Sequence, residues 1–326
     1  MSPPDRGGRG PAGGSGGGSG GGSGGGKFPP RTARVGRAPA TTGRERENAS
    51  PRHRSALSGR SPAITVMINA AMKAARGLRR DFGEIENLQV SEKSPSDFVS
   101  QADMRVEEFL REELIKVRPG YGFLGEEGRP IEGDGKNRFI VDPLDGTSNF
   151  LHGIPHFAIS IALEREGEIV AGVIYEPVGD ELFWAEKGAG AFLDTAFAKS
   201  RRLRVSGRRK LGECLVGTGI PFRGRGDHAS FLKEMGAVMA ETAGIRRLGV
   251  ASLDLAFVAA GRLDGFWETG LKPWDMAAGV LLVREAGGMV TEIGGRAHRL
   301  DSATILAANS NIGPSLDKLL REAARP

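Results

Sequence analysis

A single cysteine, Cys214, among 326 residues excludes an internal disulfide. No apolar run approaches the ~18 residues that a membrane-spanning helix needs. Lacking too is the charged, apolar and small-residue succession of a secretory signal. These absences predict a protein of the reducing cytoplasm with no membrane contact, and Cys214 reads as a small core residue. The five histidines, His53, His152, His156, His228 and His298, show no metal-ligand spacing, which speaks against a histidine metal site. Internal repeats are missing as well. A strong charge of one sign is absent from most of the chain: the formal net charge is +5, but residues 1–60 hold 11 Lys and Arg against 3 Asp and Glu, leaving 34 basic against 37 acidic residues beyond them. The basic character belongs to the first 60 residues.

Those 60 residues have almost nothing to bury. The stretch "PAGGSGGGSGGGSGGG" (11–26) carries no large side chain, and the Arg-rich run after it is nearly free of large apolar residues. The expectation is a disordered Gly/Ser/Arg-rich extension over 1–60, followed by a catalytic region over 61–326. The extension reads as a flexible leader, a linker scar or a start placed too far upstream. An electrostatic arm for nucleic acid and a transit peptide are the functional alternatives, and the glycine run argues against the second.

From residue 61 the chain shows periodicity. "AITVMINAAMKAARGLRRDF" predicts a helix with a basic C-terminal end. "SQADMRVEEFLREELIKVRPG" predicts a second, with Val106, Phe109, Leu110, Leu114 and Val117 on one face and a Ser100/Asp103 capping box. After residue 138, "RFIVD", "HFAISIALE", "EIVAGVIYEP" and "ELFWAEKG" predict strands of an antiparallel meander. Farther on, "SLDLAFVAAG", "WDMAAGVLLVREAGG" and "GPSLDKLLREAAR" read as helices, and "LDGFWE", "GMVTEI" and "TILAAN" as strands. This order implies an α+β fold in layers of sheet and helix, not a doubly wound unit.

The chemistry concentrates in "RFIVDPLDGTSNF" (138–150). Asp145-Gly146-Thr147 is similar to the motif of phosphatases whose aspartate attacks phosphorus, but those place the acid two residues later, on the same side of an extended chain. Asp142 instead lies three residues upstream. Pro143 favours a sharp turn that makes both carboxylates converge. Converging carboxylates repel and have raised pKa values unless a cation intervenes, so a divalent metal is the natural partner. The spacing of a calcium-binding EF-hand loop is missing. Glu126 and Glu127 in "FLGEEG", Asp275 in "PWDMAAG" and Asp103 could complete the cluster. Singly, each has a structural alternative: a loop charge at Glu126, a helix cap at Asp275, the capping box at Asp103.

Together the motifs resemble the inositol monophosphatase family, in particular its bacterial inositol-1-monophosphatases, over about residues 63–320. The carriers are Asp142-Pro143-Leu144-Asp145-Gly146-Thr147-Ser148-Asn149-Phe150, Gly125-Glu126-Glu127, Trp274-Asp275 through Glu285-Ala286-Gly287-Gly288, and the pattern of Lys93, Asp97, Val99, Ser100 and Asp103. The resemblance implies a layered αβαβα sandwich and a Mg²⁺-dependent, lithium-sensitive phosphomonoesterase, homodimeric and cytoplasmic. It implies that Glu126, Asp142 and the carbonyl of Leu144 hold one Mg²⁺, and Asp142, Asp145 and Asp275 a second. Thr147 and Asp103 would orient and deprotonate the attacking water, with Glu126 part of the same catalytic set.

It further implies that Gly146, Thr147 and Ser148 present backbone amides to the phosphate, that Asp145 and Asp275 also line the substrate, that Glu268 accepts a substrate hydroxyl, and that Arg246, next to Arg247, lies near it. Lys272-Pro273 and Val250 depart from the animal enzymes and put myo-inositol itself in doubt. The expected substrate is myo-inositol 1-phosphate or a related sugar or polyol phosphate. Histidinol phosphate, fructose 1,6-bisphosphate and adenosine 3′,5′-bisphosphate are alternatives within the family, and a non-catalytic contact with the transcription machinery or its RNA is an alternative of another class.

Overall fold

Ser61 starts the first helix, α1 (Pro62–Phe82), by accepting the Ile64 amide at 3.3 Å, while Pro62 occupies the first turn, where no N–H is needed. The computed structural model describes residues 59–84, 90–94, 97–221 and 226–324, without the side chains of 90–100. The expected extension over 1–60 therefore lies almost wholly outside the described residues. The Ser100 cap and the side chains of Lys93, Asp97 and Val99 lie outside them too.

After α1 come β1 (Val90–Ser94), β2 (Asp97–Ser100), α2 (Gln101–Val117), β3 (Gly122–Gly125) and β4 (Asn137–Asp145). The short α3 (Thr147–Leu151) leads to the meander strands β5 (Ala158–Arg165), β6 (Glu168–Glu176), β7 (Glu181–Glu186), β8 (Gly190–Asp194) and β9 (Arg201–Arg202). Next are β10 (Leu215–Thr218), α4 (His228–Glu241), β11 (Gly244–Arg246), α5 (Ala251–Ala259) and β12 (Gly265–Thr269). The chain ends through α6 (Pro273–Glu285), β13 (Met289–Thr291), β14 (Thr304–Ala308) and α7 (Gly313–Ala323).

Two large sheets result. One has the order β3-β4-β5-β6-β7-β8-β9, antiparallel throughout except for the parallel pair β3/β4. The other has the order β11-β10-β12-β14-β13. Strand alternation assigns the faces. Phe139 and Val141 of β4 enter the core shared with α1 and α2, whereas Ile140 enters the core shared with α5 and α6. In β12, Phe266 faces α5 and α6, and Trp267 faces the core of α4 and α7. The layers are thus α1/α2, the seven-stranded sheet, α5/α6, the five-stranded sheet and α4/α7. This is the expected αβαβα sandwich.

One detail differs. Val117, expected on the inner face of α2, is 44% exposed as the last residue of the helix.

Candidate active site

β4 delivers the first two carboxylates. By alternation Asp142 shares the face of Ile140, toward α5 and α6, and it is 1% exposed. The register of β4 against β5 then slips between Asp142 and Asp145, where Pro143 removes a ladder donor. The strand turns back on itself there: the Leu144 amide donates to Asp142 Oδ1 at 3.0 Å. Gly146 follows with φ +94, and a Cβ in its place would stand 2.8 Å from Val250 Cγ2, so only glycine fits. At the start of α5, the amide of Ser252 donates to Asp145 Oδ2 at 2.7 Å, and the positive end of a helix thereby meets a carboxylate. Asn149 fastens α3 to the same region by donating to the carbonyls of His156 and Leu248, both at 2.9 Å.

Asp275 comes from the first turn of α6. The helix cap is Lys272, and Asp275 reaches back to accept its amide at 2.7 Å, so the capping alternative for Asp275 is realised in part. One carboxylate oxygen serves the helix while the charge still faces the cluster. Glu126 follows β3 directly. Burial first, then the charges of Glu126, Asp145 and Asp275, push the Asp142 carboxyl well above the usual range. Burial and the charges of Asp145, Glu126 and Glu268 do the same to Asp275. Asp145 rises to about 6 through burial, held back by its bonds from Ser252. Among the described residues no three such side chains close into a ready-made metal cage. The structure brings the four carboxylates into one electrostatic neighbourhood, and an all-oxygen donor set of this kind fits a hard divalent cation.

Thr147, the first residue of α3, donates to Asp103 Oδ1 and to the Leu144 carbonyl, each at 3.0 Å. The hydroxyl has one proton for the two acceptors, so it serves one at a time. Asp103 is 1% exposed on α2, and its link to Thr147 spans 44 residues. The first amides of α3, those of Thr147 and Ser148, lack helical partners by geometry.

The far side of the site comes from the other sheet. Glu268, next to the last residue of β12, lies on the face of Phe266, and its carboxyl is pushed up to about 8 by burial and by the charges of Asp254 and Asp145, against the pull of Arg247. Asp254 of α5, which the motifs did not single out, is buried and also raised well above its ordinary value by burial and by Asp145. Arg246 is exposed and donates to the Ile245 carbonyl at 2.9 Å. Its neighbour Arg247 is the cation that faces Glu268 and Asp254. Arg247 lies just past β11 and is exposed like Arg246, and a pair of arginines in sequence does not reveal which one's charge reaches Glu268 and Asp254.

The model of the Inositol monophosphatase family matches residues 60–325. A protein of Rhizobium meliloti (strain 1021) named Inositol-1-monophosphatase is 57% identical over 263 residues, covering 80% of this chain and 97% of its own length. A Pseudomonas aeruginosa protein named Nus factor SuhB is 44% identical over 254 residues, which is 76% of this chain and 92% of that one. The crystal structure of extragenic suppressor protein suhB from Bartonella henselae is 56% identical and aligns with a TM-score of 0.77, over 80% of this chain and 99% of its own.

Proposed function

The chain belongs to the inositol monophosphatase family, and from that premise we propose that it is a Mg²⁺-dependent phosphatase of myo-inositol 1-phosphate or a closely related sugar or polyol phosphate. The observation that carries this reading is the meeting of Glu126, Asp142, Asp145 and Asp275, in which the neighbouring charges add to burial in raising the Asp142 and Asp275 carboxyls. Glu126, Asp142 and the Leu144 carbonyl would hold one cation, and Asp142, Asp145 and Asp275 a second. Bound there, Mg²⁺ supplies positive charge to phosphate oxygens and lowers the pKa of a water.

The protein's own groups do the rest. Thr147 orients the attacking water, and Asp103, through its bond with Thr147, receives the proton. The amides of Gly146, Thr147 and Ser148 meet the phosphate oxygens. Glu268 accepts a ring hydroxyl, with Arg247 rather than Arg246 beside it. The burial of Val250 against Gly146 narrows this end of the site. Lithium inhibition, a homodimer, a cytoplasmic location and the division into a 1–60 extension and a 61–326 catalytic region belong to the same reading. Among the described residues no helix is long and apolar enough to cross a membrane.

Turnover of a panel of phosphate monoesters and bisphosphates, with Mg²⁺, with chelator and under Li⁺ titration, tests it. Release of phosphate from inositol 1-phosphate that stops on chelation is expected; no turnover of any ester with Mg²⁺ present ends the enzymatic reading. The relative named Nus factor SuhB favours a second role, contact with the transcription machinery or its RNA. Asp275→Asn separates the two: phosphatase activity is lost and any such contact persists.

A further inference from the structure

Glu107 sits in the middle of α2, where in sequence it looks like one more solvated helix charge. It is instead 3% exposed. Both carboxylate oxygens are committed to the turn that carries Glu126: Oε2 accepts the amide of Glu127 at 2.8 Å, and Oε1 accepts the amide of Gly128 at 2.6 Å. Hydrogen bonds to an ionised carboxylate are the strong kind. The approach is so close that a Cβ on Gly125 would stand 2.3 Å from Oε2, and one on Gly128 2.6 Å from Oε1. A side chain at either glycine flanking the Glu126-Glu127 pair would displace the Glu107 carboxylate from the turn.

The placement on α2 matters. Residues four apart share a helix face, and Glu107 is four residues after Asp103, the acceptor of the Thr147 hydroxyl. One face of α2 thus sends two buried carboxylates to the same region, one to a hydroxyl and one to a turn. A buried carboxylate costs more than a neutral group of the same shape, so a neutral side chain would serve better if filling the space were the whole role.

We propose that Glu107 is a positioning residue for cation binding: by gripping the amides after Glu126 it fixes the direction of the Glu126 carboxylate toward Asp142 and Asp275, and so sets the affinity for the divalent cation. It touches neither cation nor substrate. The inference rests on the reading of Glu126 as a ligand. Glutamine at 107 keeps the shape but offers one acceptor oxygen and sets an NH₂ group against the other amide. The partners that orient metal ligands typically account for 10–100-fold in affinity.

The molecule contains a matched control. Glu285, at the far end of α6 from Asp275, grips another glycine turn in the same manner, accepting the amides of Gly188 at 2.8 Å and Gly190 at 2.9 Å. It lies ten positions after Asp275 on the helix, roughly 15 Å along the axis.

Thermal unfolding of the full chain is followed across a Mg²⁺ titration for wild type, Glu107→Gln, Glu285→Gln and Glu126→Gln. In Glu107→Gln the Mg²⁺ midpoint for the rise in Tm is expected to move up by ~10-fold or more, with kcat largely recovered at saturating Mg²⁺. Glu285→Gln lowers Tm at every Mg²⁺ concentration and leaves the midpoint in place. A Glu107→Gln titration that overlays wild type, or an equal shift in Glu285→Gln, overturns the proposal. A wild type without a Mg²⁺ response, or a Glu126→Gln variant with an unchanged one, instead removes the ligand reading beneath it. Should Glu107→Gln not fold, Gly128→Ala crowds Oε1 from the opposite side and carries the same expectation and the same overturning result.

Discussion

The two sheets meet the site from opposite sides and are built differently. In the seven-stranded sheet β4 to β9 lie side by side in chain order, so each strand pairs with the next one along. In the five-stranded sheet β10 pairs in parallel with both β11 and β12, β12 pairs antiparallel with β14, and α5 and α6 intervene. The first contributes Asp142 and Asp145, on a single bulged strand, and Glu126 just after the neighbouring β3, while Asp275 comes from α6 between the sheets. The second contributes Glu268, near the end of β12 and far along the chain from Asp142. On the proposed roles, most of the cation ligands belong to the locally built half and the hydroxyl acceptor to the half assembled over long range, so the two are open to separate perturbation.

The largest effect expected from such a separation is at Asp142. Asp142→Asn keeps the shape but removes a charge shared by both proposed cations, and kcat/KM is expected to fall by ~10³-fold or more, the equivalent of several kcal/mol of lost charge stabilisation. Because burial and like charges already disfavour the ionised form, the melting temperature of the metal-free variant should stay level or rise. A variant that keeps wild-type turnover breaks the division of labour at its root.

Glu268→Gln is expected to act on the other half alone. Measured above pH 8, where the Glu268 carboxyl is ionised, a lost hydrogen bond to a charged group is worth about 1.5–3 kcal/mol, which predicts a ~10–100-fold loss in kcat/KM for inositol 1-phosphate. The Mg²⁺ midpoint should not move, and p-nitrophenyl phosphate, which has no ring hydroxyl, should be hydrolysed as by wild type. An equal loss on both esters would place Glu268 with the cations and dissolve the comparison.

The smallest effect concerns the stability of the five-stranded half. His298 follows the bridge between Thr291 and Ala297, and burial, assisted by Arg284, pushes its imidazole down to about 4. In the unfolded chain it protonates near the ordinary value of ~6.5. Between those values the unfolded state binds more protons, so stability falls as pH drops from 6.5 toward 4. Allowing for partial solvent screening, the loss is about 1–2 kcal/mol. Chemical denaturation at pH 7 and pH 4.5 should show a smaller acid loss in His298→Gln than in wild type; identical losses would remove His298 as its source.

The same contrast explains what the amino-acid sequence discloses. The meander was legible because each strand alternates and its partner is next in the chain, and α1 and α7 because their apolar stripes are clear. The segment 215–246 offered no such signal. β10 and β11 are short and glycine-containing, and α4 leaves Leu232 and Met239 exposed, which blurs its apolar stripe. At the site, dense motifs disclosed the carboxylates of β4 and α6. They could not disclose Glu107, a helix charge whose partners lie 20 and 21 residues away, nor Asp254, nor which of Arg246 and Arg247 acts on Glu268. Those depend on how helices lie against turns, which local periodicity does not record.

The grip of Glu107 on the turn after β3 has a consequence for how this protein can be taken apart. Two amides of the turn at Gly125-Glu126-Glu127-Gly128 are held by α2, just as α6 holds the turn at Gly188 from 97 residues away. Such loops are not portable. Grafted onto another scaffold, the four residues would keep their letters and lose their aim, and a graft that is to retain the direction of Glu126 must bring a length of helix with it.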